Sequence, residues 1–210
     1  MNIVGFDFSI NKPAACLYID GTYTFWSWPF GISERIKEIY REASVNLIDR
    51  TDEKYKGKDS SEKMRWEVQN SIYLSTEISQ IFFDSGVKNT YIVFEGLSYG
   101  SSGNMGIQLG GYKYTLMKTI FDWGIPFDRM YTYAPITIKK TARCSKKGST
   151  KADMINAFIK QNVDIPLRNK LEVNPEIFQK RTGTWIEHLD DLIDSFWAVE
   201  TFREKNPSLL

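Results

Sequence analysis

Two cysteines, Cys16 and Cys144, and a single histidine, His188, are all the 210-residue sequence offers of the residues that build disulfide frameworks and zinc sites. Two thiols without paired spacing exclude both, and the expected setting is intracellular and reducing, with the cytoplasm as location. No stretch approaches the roughly twenty apolar residues that cross a bilayer. The N-terminus opens on strand-like sequence rather than a basic segment followed by an apolar one, so an unprocessed, soluble chain is expected. Net charge is also missing: 27 Lys and Arg stand against 26 Asp and Glu. No global field recruits a polyanion, and any nucleic-acid surface must come from local clustering. Internal repeats and low-complexity tracts are absent as well.

What remains is apolar mass, 42% hydrophobic and 14% aromatic, enough for one core and one domain over residues 1–210. Three short runs, Ile3 to Phe8, Ala14 to Ile19 and Thr22 to Trp28, are separated by Asn11, Lys12 and Pro13 and then by Asp20 and Gly21. An Asp-Gly pair between apolar runs signals a hairpin, so the chain is expected to open on an antiparallel three-stranded meander. The pattern from Ser33 to Phe83 is mostly helical, interrupted from Asp49 to Lys63 by mixed charge that reads as a solvated loop or helix. Tyr91 to Glu95 reads as a strand buried on both faces. Helical periodicity from Ile107 to Trp123, a short strand from Met130 to Tyr133, a basic loop, and helices near Lys151 to Ile159 and Glu187 to Phe202 complete the order. The expected fold class is α/β, a mixed five-stranded sheet with three antiparallel strands followed by parallel ones, flanked by helices.

Several acids lie where acids are expensive. Asp7 alternates with Ile3 and Gly5 on one face of the first strand, and Glu95 ends the buried strand. A carboxylate in such a place is costly unless it is paired or binds a cation. In the last helix, Leu189, Leu192, Ile193, Phe196 and Trp197 form a core-facing stripe, leaving Asp190, Asp191 and Asp194 on the other face. Asp190 and Asp191 lie four and three residues before Asp194, so either can project beside it, and periodicity does not choose between them. Hard oxygen donors from several elements, without a Cys or His cluster, suit magnesium or manganese and a two-metal phosphoryl-transfer site. The competing reading gives Asp190 or Asp191 to helix electrostatics and Asp7 and Glu95 to structural hydrogen bonds.

At these residues the sequence resembles the RuvC-type Holliday junction resolvases, of the kind phages carry. Ile3-Val4-Gly5-Phe6-Asp7-Phe8-Ser9 is similar to the family's first strand, and Phe94-Glu95-Gly96 to its second acidic position. Pro135 to Lys140 with Lys147-Gly148-Ser149-Thr150-Lys151 resembles its basic region, and Asp191-Leu192-Ile193-Asp194-Ser195 its closing D-x-x-D. The resemblance implies a ribonuclease-H-like fold, magnesium-assisted attack of water on a phosphodiester, with manganese able to substitute, and two ions per site held by Asp7, Glu95, Asp191 and Asp194. It also implies a homodimer whose two sites cut opposite strands of a four-way junction. The family places an aromatic just beyond the second acid to wedge into the junction; here Ser98 comes first and Tyr99 after it.

No acid occurs between Asp128 and Asp153, while Lys139, Lys140, Arg143, Lys146, Lys147 and Lys151 accumulate. Such a patch positions DNA through its phosphates, and Lys151 at a helix start is placed to stabilise charge at a scissile phosphate. Gly96, Gly100, Gly103 and Gly106 make the segment around Tyr99 able to approach a backbone, but their spacing fits neither a Walker loop nor a dinucleotide fingerprint. A lone histidine at a helix start reads as a surface residue, so His188 is left out of the site. Cys144 lies among basic residues that would lower its pKa, yet no base stands near it in sequence, and it reads as a free thiol. Two other function classes share such a fold: a DNA-binding protein without chemistry, and an actin-like or sugar-kinase-like phosphotransferase, which needs a second glycine-rich hairpin that the sequence lacks.

Overall fold

In the computed structural model, residues 1–50, 55–84, 89–96, 103–146 and 148–209 are described. Strands β1 (Asn2–Asp7), β2 (Ala14–Ile19) and β3 (Thr22–Ser27) form the expected meander, paired from Asn2↔Ile19 to Asp7↔Ala14 and from Ile19↔Thr22 to Ala14↔Ser27. Asp20 and Gly21, at φ 45° and 94°, close the second hairpin. Both central residues therefore have positive φ, the requirement of the turn whose twist matches the strands it joins. Helix α1 (Glu34–Glu42) leads to β4 (Val45–Leu47), and α2 (Ser60–Asp84) to β5 (Thr90–Glu95). Then follow α3 (Gly103–Asp122), β6 (Met130–Tyr133), α4 (Pro135–Thr141), α5 (Lys151–Ile159), α6 (Pro166–Val173) and α7 (Leu189–Lys205).

The sheet has six strands in the order β4-β3-β2-β1-β5-β6, one more than the five expected. The addition is β4, which pairs in parallel with β3 over Phe25↔Val45 to Ser27↔Leu47. Because β5 is parallel to β1 and β6 to β5, every strand except β2 points the same way. One edge of the sheet therefore collects the C-terminal ends of five strands. The segment read as a basic loop begins with a helix, α4, with Pro135 at its first position, where a missing N–H costs nothing.

Side chains alternate between two cores. Val4, Phe6, Ala15, Leu17, Ile92 and Phe94 pack against Leu74, Ile78 and Phe82 of α2 and Leu116 of α3. Ile3, Ala14, Cys16, Phe25 and Val93 face Leu192, Phe196 and Val199 of α7 and Phe158 of α5. Burial on both faces is why the strands read as continuous apolar runs.

Candidate active site

Gly5 governs how α7 approaches the sheet. A Cβ at this position would stand 2.3 Å from the Ser195 carbonyl oxygen and 2.8 Å from Val199 Cγ2. Only a residue without a side chain lets the helix lie this close to β1. Asp7 is two residues farther along the same face, and Asp194 immediately precedes Ser195. Strand β5 pairs with β1 up to Phe6↔Phe94, which brings Glu95 beside Asp7. Carboxylate oxygens of Asp7, Glu95 and Asp194 consequently lie within 4.8 Å of one another, the arrangement of a cation site. Asp191, one turn earlier on α7, is buried at 6% exposure, and its Oδ2 has no hydrogen-bond partner among the described residues. Lys12 Nζ stands 3.9 Å from that oxygen.

Glu95 is fixed from behind. Lys113 of α3, buried at 6% exposure, donates to the Glu95 backbone carbonyl at 3.1 Å and sits 5.3 Å from the centroid of Phe94. The Gly96 amide donates to the Tyr133 carbonyl at 2.7 Å, continuing the β5–β6 pairing past the acid.

The cluster is electrostatically uncomfortable. Burial, followed by the fields of Asp191, Glu95 and Asp194, raises the Asp7 pKa well above the ordinary range. Burial and then Glu95 push Asp194 up to about 8, and burial and then Asp190 push Asp191 to about 6. Glu95 is raised by burial against the lowering fields of Lys151, Lys139 and Lys113. Desolvated like charges hold protons in this way when no cation is present to neutralise them.

Asp190 and Asp191 part company here. Asp190 accepts a hydrogen bond from Lys151 Nζ, and despite burial this pairing holds its pKa below the usual value. Lys151 opens α5 behind a capping box in which Thr150 and Asp153 satisfy each other's backbone amides. Burial would lower the Lys151 pKa, but the bond to Asp190 and the fields of Asp190, Asp191 and Asp194 hold it above its ordinary value. The ammonium is thus a fixed positive charge at the rim of the acids.

The remaining basic residues divide. Lys139, on α4, is close enough to act on Glu95. Lys140, Arg143 and Lys146 instead line a separate groove of about 1210 Å³ along α5 and the later turns of α7, whose far wall mixes Lys160 and Arg203 with Glu200 and Glu204. Tyr99 and Lys147 lie outside the described residues. Cys144 departs from expectation: burial raises its pKa, and its thiol donates to the carbonyls of Ala142 at 3.3 Å and Asp153 at 3.4 Å. His188, expected on the surface, is buried, and burial followed by the charge of Lys12 lowers its pKa to about 4. Lys12 and Lys113 are residues of this region that the sequence does not single out, and His188, set aside as a surface residue, belongs to it as well. Lys113 carries a signal as a cation on the inward side of the helix that follows the second acid, and His188 as the lone histidine three residues before Asp191.

Solved structures that share the fold include Thermus thermophilus RuvC, with TM-score 0.53, 11% identity, and 98% of this chain and 97% of that one covered, and T. thermophilus RuvC in complex with a Holliday junction substrate, with TM-score 0.52, 11% identity, and 98% and 96% covered. No protein-family profile and no curated protein matches the sequence. The likeness is one of fold: a RuvC-like, ribonuclease-H-like α/β sheet flanked by helices.

Proposed function

We propose that the chain is a divalent-metal-dependent, structure-selective endonuclease that resolves four-way DNA junctions by hydrolysing phosphodiester bonds. The observation that carries this reading is the meeting of Asp7, Glu95 and Asp194, drawn from β1, β5 and α7, within 4.8 Å at the strand-end edge of a RuvC-like sheet. The donor set fits magnesium or manganese: carboxylate oxygens only, raised pKa values that a dication would relieve, and an Asp191 Oδ2 beside them that accepts no hydrogen bond among the described residues. Asp7, Glu95, Asp191 and Asp194 would hold two ions. When bound, such ions neutralise the phosphate oxygens and make water a stronger nucleophile at neutral pH.

The chain's own groups do the rest. Lys151, oriented by Asp190, is placed to stabilise negative charge developing on the scissile phosphate. Lys113 holds the Glu95 backbone at the end of β5, and its charge acts on the Glu95 carboxylate. Lys139, Lys140, Arg143 and Lys146, with Lys147 and Tyr99, would carry the arms of the DNA through phosphate contacts and stacking. Paired cuts in opposite strands require two sites, so the working unit is a homodimer. Met64, Val68 and Ile72, four residues apart on α2 and each more than half exposed, form the apolar stripe on which a second copy would pack.

The test is cleavage of labelled four-way junctions beside matched linear duplexes, in magnesium or EDTA, by the wild type and Asp7→Asn. Paired, metal-dependent nicks confined to the junction and lost in the variant are expected. Equal cutting of linear duplex makes the protein a general nuclease, and junction binding without cutting in either metal makes it a binding protein of this fold.

A further inference from the structure

A cavity of about 360 Å³ opens at the same edge of the sheet as the carboxylates. Its walls come from three turns: Asn11 and Lys12 between β1 and β2, Phe30 to Ser33 between β3 and α1, and Glu187 and His188 before α7. Lys12 belongs to cavity and carboxylate site alike, since its ammonium also stands 3.9 Å from Asp191 Oδ2.

The walls are braced rather than loose. The Arg50 guanidinium lies 3.5 Å from the centroid of Phe30 and donates to the Ile10 carbonyl at 2.6 Å and to Asn70 at 3.0 Å. The hydroxyl of Tyr40, buried in α1, donates to the Glu187 carbonyl. His188 follows at φ 70°, a left-handed conformation uncommon for a residue with a side chain and typical of functional turns. Its side chain is 2% exposed, and Nδ1 has no hydrogen-bond partner among the described residues. A buried imidazole nitrogen left unpaired is a cost that folding does not explain.

We propose that this cavity receives one unstacked nucleotide of the strand being cut, with the base against Phe30, Ile32 and Ile36, a base edge paired to His188, and the adjacent phosphate on Lys12. The volume lies at the small end of ligand sites, which suits one nucleotide. Extruding a base costs stacking and pairing energy, and least where pairing is already interrupted. Nucleotides at a branch point meet that condition and those of a linear duplex do not, so the cavity supplies a physical origin for structure selectivity. The nucleotide's place in a cut strand rests on the nuclease reading; the cavity and its unpaired imidazole do not.

The experiment places 2-aminopurine singly at each position within three of the branch point, and at matching positions of a linear duplex, bound to Asp7→Asn protein. A several-fold rise in fluorescence is expected at one junction position and at none in the duplex. Ile36→Trp, which fills the cavity in the same background, abolishes that rise at a protein concentration where mobility shift shows the junction fully bound. His188→Ala, which leaves the walls in place, at least halves it and serves if Ile36→Trp does not melt cooperatively. A rise at no position, or one unchanged in both variants, overturns the proposal. Wild-type cutting of unlabelled junctions is measured in parallel: cutting without a fluorescence rise removes the cavity alone, and a rise without cutting removes the nuclease reading alone.

Discussion

On one face of the sheet, Phe6 stacks on Phe94 with centroids 5.4 Å apart and meets Phe82 edge-on at 5.6 Å. On the other face, the same two strands present Gly5, Asp7 and Glu95 to α7. The first face is filled by large apolar side chains that leave water and gain dispersion, so each residue there adds stability. The second gives up a side chain at Gly5 to let a helix approach and then crowds carboxylates that repel one another. The α7 face is not weak as a whole: away from the acids it holds an extensive core that includes Phe158, Phe196, Val199 and Phe202, so the destabilising site is confined to the strand-end rim of a face that is otherwise well packed.

Asp7→Asn gives the largest separation of the two faces. Cutting of four-way junctions is expected to fall by at least about 100-fold, the scale on which single electrostatic groups act at active sites. In EDTA the variant should melt higher than wild type, because one repelled carboxylate is gone. Gly5→Ala comes next. A Cβ 2.3 Å from the Ser195 carbonyl must push α7 outward, and overpacking of this kind costs about 1–3 kcal/mol. Cutting at saturating magnesium should fall about tenfold or more, since displacement of Asp194 separates the acids. A variant that loses stability but cuts normally shows that the helix approach does not set the site.

Phe82→Ala tests the other face. Truncating a buried aromatic costs about 3–5 kcal/mol, read in denaturant melts, while the cutting rate per folded molecule stays within about threefold of wild type. The pH dependence sharpens the comparison further. Asp194 titrates at about 8 when folded and near 4 when unfolded, so the folded chain binds the extra proton. Its contribution to stability is fully present below about pH 4 and is lost as pH rises toward about 8. In EDTA, the melting temperature of wild type relative to Asp194→Asn is therefore expected to decline from pH 5 to pH 8, and magnesium to restore more of it at pH 8. A difference that grows with pH contradicts the assignment. The smallest effect belongs to the groove: Lys140→Ala with Arg143→Ala should weaken junction binding at all sequences and reduce the salt slope by about two, one for each phosphate no longer neutralised, with cutting at saturation unchanged.

The meander, β5, the long helices and the costly placement of Asp7, Glu95 and Asp194 were legible because each follows a local rule: Asp20-Gly21 for the hairpin, continuous apolar runs interrupted or ended by an acid for buried strands, an apolar stripe for α7. Strand β4 escaped because three residues, Val45–Leu47, are too few for alternation and are held by parallel pairing to β3. Helices α4 and α6 were announced by Pro135 and Pro166 at their first positions, but the lysines of α4 drew the reading toward a loop. The split between Asp190 and Asp191 turns on Lys151 and Lys12, contacts between distant parts of the chain that no helical period encodes. The burial of His188 accompanies a left-handed turn that no helical period encodes, beside a Glu187 carbonyl that accepts from the Tyr40 hydroxyl of the distant α1.

The three carboxylates that converge belong to the opening strand, a strand near the middle and the last helix of the sequence. Synthesis proceeds from one end, and domains gain structure as their segments emerge. The opening strand and β5 can pair while the ribosome still lacks α7, but the acidic trio cannot form until that helix has left the exit tunnel and docked over Gly5. Any product that stops upstream of Asp194 therefore lacks the trio, however complete its sheet.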